Sequence, residues 1–436
     1  MYESRVSVIG AGLAGSEAAY QLAERGIAVD LYEMKPQKMS PAHQSGDFCE
    51  LVCSNSLRSD RIENAVGLLK AELRILGSLV LRVADETRVP AGGALAVDRE
   101  GFAARVTQIL REHENITIHS EEVTRVPEAP AIIATGPLTS GALAADIARL
   151  TGEPLHFYDA AAPIVTLESL DMTKVFRASR YGRGDDYLNC PMTREEYETF
   201  YQALITAETA ELHTFETPRV FEGCMPVEVM AKRGEQTLCF GPLKPVGLEV
   251  DGIEPYAVVQ LRQDDKDGRL FNLVGFQTNL KFAEQRRVFG LIPGLEHAEF
   301  ARYGVMHRNT FLNSPKLLHM DYQMRSVPGL YFAGQMTGVE GYVESASSGF
   351  VAAVSLARQL RGETAVDFTA NTAIGSLGHY VSGYVGDDFQ PMNVTFGIME
   401  SLPERIRKKA LRYEKVAERA LEIVHGIQPI LSYSKD

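Results

Sequence analysis

The pattern of apolar and polar positions predicts a strand, a helix and a second strand in the first part of the chain. Residues 5–9 form a short apolar run typical of a buried strand, and residues 16–25 have the apolar spacing of a helix. Residues 28–33 again resemble a buried strand, so the three segments have the length of one βαβ unit. We therefore expect two parallel strands connected by a helix.

Further segments along the chain have either helical or strand-like periodicity. Helical spacing occurs at residues 62–76, at about 99–113, from the turn at residue 136 to about 151, and at 194–209, 345–360 and about 403–425. Strand-like apolar runs occur at residues 131–136, 164–167, 258–261, 270–274 and 329–334. Residues 36–60 are polar and irregular, and loops of that length inside a compact domain are usually functional.

Strands and helices do not alternate in the middle of the chain, whereas a buried strand with a glycine-rich turn returns near residue 329. This change predicts an α/β fold in which a Rossmann-type domain is interrupted by an α+β insertion domain. The Rossmann-type domain would occupy residues 1–164 and 316–436, and the insertion domain residues 165–315.

The composition is that of an ordinary globular protein, with 45% apolar and 23% charged residues among 436. No apolar run reaches the roughly 20 residues of a membrane-spanning helix. Five cysteines are too few for a disulfide framework, and Cys49 and Cys53 have no second pair that would complete a zinc site. We expect a cytoplasmic protein with free thiols, no metal and no membrane partner. The net charge of −13 disfavours nonspecific coating of nucleic acid but permits a local basic surface.

A glycine motif lies between the first predicted strand and helix. Residues 10–15 are Gly-Ala-Gly-Leu-Ala-Gly, which is the GxGxxG spacing. The first glycine makes the turn, the second admits a pyrophosphate, and the third packs the helix on the strand. An acidic residue ending the second strand can accept hydrogen bonds from ribose hydroxyls. The predicted dinucleotide-binding residues are Gly10, Ala11, Gly12, Leu13, Ala14, Gly15 and Glu33.

NAD and FAD share this motif, and a later segment favours FAD. The strand at 329–334, followed by Gly338, Gly341 and a helix, would bring a second helix N-terminus to the nucleotide. Its positive end would stabilise negative charge on a reduced flavin. An ordinary glycine-rich turn that closes the sheet explains the same spacing, so these residues alone leave both interpretations open.

Seven motifs together resemble one family over essentially the whole chain. They lie at residues 10–15, 33–36, 50–58, 134–136, 303–310, 329–344 and 389–397. They resemble the folate- and FAD-dependent tRNA (uracil-5-)-methyltransferases, which are related to the glucose-inhibited-division flavoproteins. The resemblance implies a glutathione-reductase-like FAD-binding domain with an insertion. It also adds, as cofactor-binding residues, Gly136, Gly334, Gln335, Gly341 and Glu344.

The family's reaction transfers a methylene group from 5,10-methylenetetrahydrofolate to C5 of the T-loop uridine and reduces it to methyl, using NAD(P)H through the flavin. C5 of uracil is a poor nucleophile until a thiolate adds at C6, and a base must later remove the C5 proton. The chain therefore needs a reactive thiol and a second group that handles a proton.

Two cysteines are candidates for these groups. Cys224 lies in a predicted loop between a glycine and a Met-Pro pair, and Cys53 has Arg58 and Arg61 close in sequence to favour a thiolate. From the residues alone, each could equally be a small buried side chain. The resemblance implies that both are functional. We take Cys224 as the nucleophile at C6 and Cys53 as the flavin-side partner and candidate base, with the reverse assignment left open.

The resemblance also suggests contacts with folate and tRNA. His379 matches a position suited to stacking the pterin against the flavin, although a lone histidine is more often structural. A base turned out of a folded T-arm needs basic side chains that anchor the backbone. A solvated helix face would explain the same basic stretch, and Arg286 with Arg287 forms a smaller pair. The tRNA-binding candidates are Arg405, Arg407, Lys408, Lys409 and Arg412.

Two other functions are compatible with the sequence. One is the related wobble-uridine carboxymethylaminomethyl-modifying flavoprotein, which shares the FAD motifs and uses folate but is expected to be longer. The other is a non-catalytic, flavin-binding RNA chaperone or redox sensor, in which both cysteines would be incidental. The Leu-Val-Cys-Ser-Asn-Ser stretch at residues 51–56 favours the methyltransferase.

Overall fold

The computed structural model describes residues 5–152, 155–210, 225–250, 252–386 and 389–431, without the side chains of residues 155–160 and 307–309. The elements of the first part are β1 (Val6–Ile9), α1 (Leu13–Glu24), β2 (Val29–Glu33), β3 (Ser56–Ser59), α2 (Ala65–Leu76), α3 (Leu79–Glu86), β4 (Arg88–Val89), β5 (Ala94–Val97), α4 (Arg99–Glu112), β6 (Ile116–Ser120), β7 (Ala131–Ile133) and α5 (Gly141–Thr151). Those of the middle part are β8 (Leu155–Ala160), β9 (Ile164–Thr166), β10 (Phe176–Arg177), β11 (Tyr187–Met192), α6 (Arg194–Ile205), α7 (Val227–Ala231), α8 (Thr237–Phe240), β12 (Ala257–Gln263), β13 (Leu270–Leu273), α9 (Phe282–Phe289), β14 (Phe300–Arg302) and β15 (Met306–Phe311). Those of the last part are α10 (Ser314–Leu317), β16 (Leu330–Phe332), α11 (Tyr342–Leu360), α12 (Ala373–Gly383) and α13 (Lys409–Leu431).

The central sheet is parallel, with strand order β16–β7–β1–β2–β6. Val6 and Val8 of β1 are buried on one face in a core that includes α1 and α11, whereas Ile9 is buried on the other face with Leu143 and Ile147 of α5. Because helices cover both faces, the adjacent strands β16, β7 and β1 consist of nearly continuous apolar runs. The predicted α/β class and the opening βαβ unit are confirmed.

Helices α1 and α11 pack so closely that their backbones are in contact. A Cβ added to Gly349 would lie 2.1 Å from the Ala14 carbonyl oxygen, and one added to Gly334 would lie 3.1 Å from Ala14 Cβ. Both helices follow parallel strands of the same sheet, so their N-termini lie together at its carboxyl edge. That edge is where open α/β sheets bind ligands.

A six-stranded antiparallel sheet occupies the middle of the chain, in the order β10–β11–β12–β13–β9–β14. It has its own apolar core, which includes Leu188, Val259 and Phe271 from the strands and Tyr197 from α6. The strands β8 and β15 pair with each other and connect this part to the parallel sheet. A small sheet of order β3–β5–β4 is inserted in the sequence between β2 and β6 of the parallel sheet. The domain limits at residues 165 and 315 stay a prediction.

The terminal helix differs from its predicted bounds of about 403–425. Helix α13 begins at Lys409 and continues to Leu431. The preceding residues 403–408 offer little apolar surface, whereas Val416, Val424 and Leu431 extend a buried stripe along the helix. Residues 403–408, the start of the predicted basic helix, are therefore an irregular segment. Within the described ranges, no helix is both long and apolar enough to cross a membrane.

Helix α12 was not predicted from the periodicity, because glycines at 375, 378 and 383 weaken the helical pattern. Tertiary contacts explain two of them. A Cβ on Gly378 would lie 2.2 Å from the Met320 carbonyl oxygen, and one on Gly375 would lie 2.1 Å from that of Thr369. Close packing of this helix requires residues that its intrinsic propensity disfavours.

Candidate functional site

A long cleft of about 1140 Å³ lies at the carboxyl edge of the parallel sheet. Its walls come from the glycine motif, the end of β2, the turn after β7 and the start of α11. The predicted residues that line it are Gly10, Gly12, Leu13, Ala14, Glu33, Gly136, Gly334 and Gln335. The structure therefore brings most of the predicted cofactor residues to one cavity.

The three glycines of the motif have three different reasons to lack a side chain. Gly10 has φ +96°, and a Cβ there would lie 2.7 Å from the Ala134 carbonyl oxygen. A Cβ on Gly15 would lie 1.8 Å from the Gly10 carbonyl oxygen, so this residue lets α1 pack on the turn. A Cβ on Gly12 would meet nothing within 4 Å. Gly12 caps α1 and faces open space, where a phosphate can approach the helix N-terminus.

Glu33 connects the end of β2 to the glycine motif. One carboxylate oxygen accepts a hydrogen bond from the Ala11 N–H (2.9 Å) and the other accepts one from the Lys35 N–H (3.0 Å). The side chain is buried but still lines the cleft. Ala11 and Gly15 themselves do not line the cleft, and they act by shaping the turn.

A second cleft of about 1100 Å³ joins the first one. The two share Val52, Gln335, Tyr342 and Ser345. Cys53 and Gly341 line the second cleft, whose far wall comes from the antiparallel sheet. Cys53 therefore lies where a dinucleotide-binding cavity opens into a cavity between the two sheets.

The loop of Cys53 is held by a tyrosine at the start of α11. The Tyr342 hydroxyl oxygen accepts hydrogen bonds from the Cys53 N–H (2.8 Å) and the Ser54 N–H (3.1 Å). Burial, followed by the electrostatic interaction with Cys53, raises the pKa of Tyr342 above its ordinary value. The hydroxyl therefore stays protonated at neutral pH, and its own O–H remains available as a donor.

The other side of this loop is held by the antiparallel sheet. Arg262 of β12 donates to Ser54 Oγ (2.6 Å) and Asn55 Oδ1 (3.2 Å). Arg99, at the start of α4, donates to the Leu51 carbonyl and makes a two-pronged pair with Asp264 at 2.9 and 3.0 Å. Both arginines are largely buried and interact electrostatically with Cys53.

The cations that act on Cys53 thus include two that sequence proximity did not suggest. Arg58 also lines the second cleft, but its guanidinium pairs with the buried Glu344. Arg61 does not line this cleft. Arg99 and Arg262 are distant in sequence from Cys53, and no local pattern indicates that they lie near it.

Among the described cysteines, Cys53 is the one that is not buried. Burial raises the pKa of Cys49 to about 12 and that of Cys190 to about 12, and it also raises the pKa of Cys239. A high pKa keeps a thiol protonated and unreactive. Cys224 lies outside the described residues, so its place relative to Cys53 stays a prediction.

Besides Ala11 and Gly15, the predicted cofactor residue Glu344 and the predicted folate residue His379 do not line either cleft. Glu344 lies in the first turn of α11, where one carboxylate oxygen accepts from the Val394 N–H (3.1 Å) and the other is buried without a hydrogen-bond partner among the described residues. His379 lies on α12 next to Asp367 (3.3 Å), in a depression that shares no lining residue with the clefts. The structure does not bring His379 to the Cys53 site.

The predicted tRNA-binding residues are exposed at the start of α13 and before it. Lys409 and Arg412 both lie over the Tyr413 ring, at 5.5 and 5.4 Å, and Tyr413 stacks on Phe396. Arg287 of the smaller basic pair is already neutralised by Glu284 (2.6 Å). Among the described residues, no group of three or more His, Cys, Asp or Glu side chains is arranged to hold a metal.

Comparison with known proteins places this geometry in a family. A family model described as "Glucose inhibited division protein A" matches residues 5–364. The chain is 62% identical to the methylenetetrahydrofolate–tRNA-(uracil-5-)-methyltransferase TrmFO of Acetivibrio thermocellus, over 96% of this chain and 97% of that protein. It is 59% identical to the protein of the same name from Bacillus subtilis, over 98% and 99%.

Among solved structures, the chain is similar to Aquifex aeolicus GidA, with a TM-score of 0.71 and 16% identity over all of this chain and 74% of GidA. At this identity the likeness shows the fold alone, and the predicted Rossmann-type fold with an insertion is confirmed. The identity to the methyltransferase-named relatives extends over nearly their whole length, and the family resemblance expected from the motifs is confirmed. The chain therefore belongs to the glucose inhibited division protein A family, together with its relatives named methylenetetrahydrofolate–tRNA-(uracil-5-)-methyltransferase.

Proposed function

We propose that this chain is a folate- and FAD-dependent tRNA (uracil-5-)-methyltransferase. It transfers a methylene group from 5,10-methylenetetrahydrofolate to C5 of the T-loop uridine and reduces it to methyl. NAD(P)H supplies the electrons for this reduction through the flavin. The observation that carries this proposal is the identity of about 60% to relatives of that name along nearly the whole chain. The position of Cys53 at the junction of the two clefts supports it. A substrate of this kind also implies a cytoplasmic location.

The first cleft fits FAD. The open space at Gly12 admits a pyrophosphate, Glu33 lies where a ribose would bind, and two helix N-termini meet at the same edge. FAD bound there supplies the hydride that converts the transferred one-carbon group to methyl. The chain's own part is to exclude water, to orient the uridine, and to move the protons that the reaction requires.

Cys53 and Cys224 divide the chemistry on the uracil ring. The thiolate of Cys224 adds to C6, which makes C5 nucleophilic, and the C5 proton is removed after the new carbon–carbon bond has formed. Cys53 is the candidate base for that proton, because it is the described cysteine that is not buried and it lines the second cleft. Loss of the C5 proton lets tetrahydrofolate leave the new carbon, and a hydride from the reduced flavin would then convert that carbon to methyl as the thiolate of Cys224 leaves C6.

A single-turnover assay tests the function. Enzyme reduced with NADH or NADPH is mixed with labelled 5,10-methylenetetrahydrofolate and an unmodified tRNA transcript, and labelled 5-methyluridine is measured. We expect product with wild-type protein, none with Cys53→Ala, and a wild-type amount with Cys239→Ala, since Cys239 lies in the core of the insertion. FAD content is measured for each variant. Absence of 5-methyluridine with FAD-loaded wild-type protein would contradict the proposal.

The roles of the two thiols are tested with tRNA that contains 5-fluorouracil, which traps a covalent adduct at C6. We expect the adduct to form with Cys53→Ala and to be lost with Cys224→Ala. An adduct that survives Cys224→Ala and disappears with Cys53→Ala would reverse the assignment.

The folate role of His379 is tested separately, because the structure places this residue outside both clefts. If His379 binds the pterin, His379→Ala weakens tetrahydrofolate binding, measured through the flavin absorbance. Unchanged affinity would remove His379 from the site.

The wobble-uridine-modifying function is the less favoured alternative. The related GidA structure is only 16% identical, and this chain spans 74% of its length.

For tRNA binding, we propose that Arg405, Arg407, Lys408, Lys409 and Arg412 contact backbone phosphates. None of them forms an ion pair within the described part of the chain. Substitution of Lys409 and Arg412 by glutamine is expected to weaken tRNA binding and to lower its salt dependence.

A further inference from the structure

A third cleft of about 890 Å³ lies between the small β3–β5–β4 sheet and the antiparallel sheet. We propose that this cleft, here called the arginine groove and defined by Arg61, Arg180, Tyr181 and Arg183, binds the sugar–phosphate backbone of the tRNA and stacks one base on Tyr181. The proposal rests on the proposed function, because it takes the T-arm as the RNA that reaches Cys53. It adds a surface that the basic stretch near α13 does not include.

The charge of the groove is not neutralised from within. Arg180 donates to Gln260 Oε1 (3.0 Å) and the Val246 carbonyl (2.8 Å), and none of the three arginines has a carboxylate within ion-pair distance among the described residues. One carboxylate oxygen of Asp186, three residues beyond Arg183, accepts a hydrogen bond from the Gly92 N–H (2.5 Å), and within the described ranges Asp186 forms no ion pair with the three arginines. In a chain with a net charge of −13, three arginines on one cleft without a carboxylate partner favour an anionic ligand.

The backbone is shaped to display these side chains. Gly93 lets the Arg61 guanidinium lie against the turn before β5, since a Cβ there would be 2.9 Å from Arg61 Nε. Tyr181 has φ +62°, a left-handed conformation that is rare for a bulky residue, and its ring is 60% exposed. The Tyr181 N–H donates to the Gly247 carbonyl (2.9 Å), which holds this conformation in place. Arg183 lies over the same ring at 5.7 Å.

An exposed aromatic ring beside arginines fits a nucleic acid better than a simple anion. Bases stack on tyrosine faces without sequence preference, while guanidinium groups bind phosphates in two-pronged fashion. A small anion would need the arginines but would leave the strained, exposed tyrosine without a function. The combination therefore points to a single strand or loop of RNA.

The groove and the cleft that contains Cys53 are lined by neighbouring residues of two strands. On β3, Ser56 and Arg58 line the Cys53 cleft, and Ser59 begins the arginine groove. On β12, Arg262 lines the Cys53 cleft, and Gln260, two residues earlier on the same face, lines the groove. Two residues along a strand are about 7 Å, which is close to the spacing of neighbouring phosphates in an extended strand. A uridine turned towards Cys53 would thus have its flanking nucleotides at the groove.

The test measures binding of an unmodified tRNA transcript and of an isolated T-arm hairpin at several salt concentrations. We expect the double variant Arg61→Ala/Arg183→Ala to bind the transcript and the hairpin roughly tenfold or more weakly than wild-type protein. The slope of log affinity against log salt concentration should become shallower by about 2, one for each lost phosphate contact. Tyr181→Ala is expected to weaken binding roughly tenfold, and Tyr181→Phe to restore it, since stacking needs only the ring. Arg194→Ala is the matched control, because this exposed arginine of the same part of the chain is paired with Glu198 (2.7 Å).

FAD content and thermal unfolding of each variant are recorded, so that loss of binding is scored only for folded holoenzyme. Unchanged tRNA affinity and salt slope in Arg61→Ala/Arg183→Ala, with wild-type protein producing 5-methyluridine, would overturn the groove and leave the proposed function intact. Weakened tetrahydrofolate binding with unchanged tRNA binding would overturn it as well, since the arginines would then hold the carboxylates of folate. Absence of 5-methyluridine from wild-type reactions would overturn the proposed function, and with it the T-arm as the ligand of this groove.

Discussion

Tyr342 connects the start of α11 to the loop that presents Cys53. Its hydroxyl accepts two backbone N–H bonds from residues 53 and 54, and its ring lines both clefts. These two residues are almost 290 positions from Tyr342 in the sequence. This side chain therefore links the helix α11 directly to the loop that carries Cys53.

We expect Tyr342→Phe to loosen this loop. Two partly buried N–H groups lose their acceptor, which costs about 1–3 kcal/mol in the free energy of unfolding. The rate at which Cys53 reacts with a thiol reagent should rise, and methyl transfer should fall. Tyr380→Phe is the control, because it removes a hydroxyl bonded to the Gln390 carbonyl (2.6 Å), away from Cys53. Equal thiol reactivity in the two variants would contradict the role of Tyr342.

Glu72 on α2 is a buried carboxylate that caps α12. It accepts hydrogen bonds from the Ala373 and Ile374 N–H groups, both at 2.8 Å. Burial raises the pKa of Glu72 to about 8, although these two N–H donors act to lower it. The protonated form is therefore favoured by folding.

This raised pKa gives a pH dependence with a defined sign. The contribution of Glu72 is fully present below about pH 4.5, the ordinary value, and is lost as the pH rises to about 8. The free energy of unfolding of wild-type protein, measured in urea and compared with that of Glu72→Gln, should therefore fall as the pH rises from about 4.5 to about 8. Glu63→Gln, at an exposed position before α2, should give no such difference. A wild-type advantage that grows with pH would contradict the assignment.

At the scale of elements, the contact between β1 and α1 depends on glycines with separate functions. Gly15 is needed by the protein itself, because its α-hydrogen faces the Gly10 carbonyl. Gly12 has open space around it, so packing among the described residues does not require a glycine there, and we predict that a bound phosphate does. The motif therefore combines a packing requirement with a binding requirement.

Two alanine substitutions separate these requirements. Gly15→Ala should destabilise the flavin-free protein by about 1–3 kcal/mol or more, since a Cβ would overlap the backbone of Gly10. Gly12→Ala should change the stability of the flavin-free protein by less than about 1 kcal/mol, yet weaken FAD binding. Thermal unfolding of the flavin-free protein and flavin titration measure the two effects. If Gly12→Ala bound FAD as wild-type protein does, the phosphate would not lie at this position.

At the scale of the whole molecule, Arg99 and Asp264 connect the two large parts of the chain. The pair is buried and two-pronged, and Arg99 also supports the loop of Cys53 through the Leu51 carbonyl. The arrangement of the two sheets and the position of the thiol thus depend on the same contact.

Asp264→Asn should therefore be much more damaging than a nearby surface change. It leaves the buried Arg99 charge without a partner, which costs about 3–5 kcal/mol in unfolding free energy. Asp267→Asn removes an exposed pair with Arg269 (3.0 Å) and should cost about 1 kcal/mol or less. Urea unfolding of both variants measures the difference. Similar costs would show that the pair contributes little to joining the two parts.

Much of the fold was predictable because its signals are local. The glycine spacing at 10–15 and the periodicity of α2, α4 and α11 depend on residues that are close in sequence, and the structure confirms these elements. The end of α13 was not predictable, because it depends on burial against α2. Helix α12 was missed for the same reason, since two of its glycines, Gly378 and Gly375, are explained only by their close contacts with Met320 and Thr369.

The sequence by itself determined the βαβ unit, the dinucleotide motif and the family, because each depends on adjacent residues or on motifs, and it predicted a functional role for Cys53. Only the tertiary structure decided which groups surround that thiol. Tyr342, Arg99 and Arg262 reach it from three separate elements, whereas His379 lies elsewhere. Contacts between distant segments are set by how the two sheets pack, and no local pattern records that packing. The arginine groove became visible for the same reason, since its lining comes from the small β3–β5–β4 sheet, the antiparallel sheet and the segments next to them.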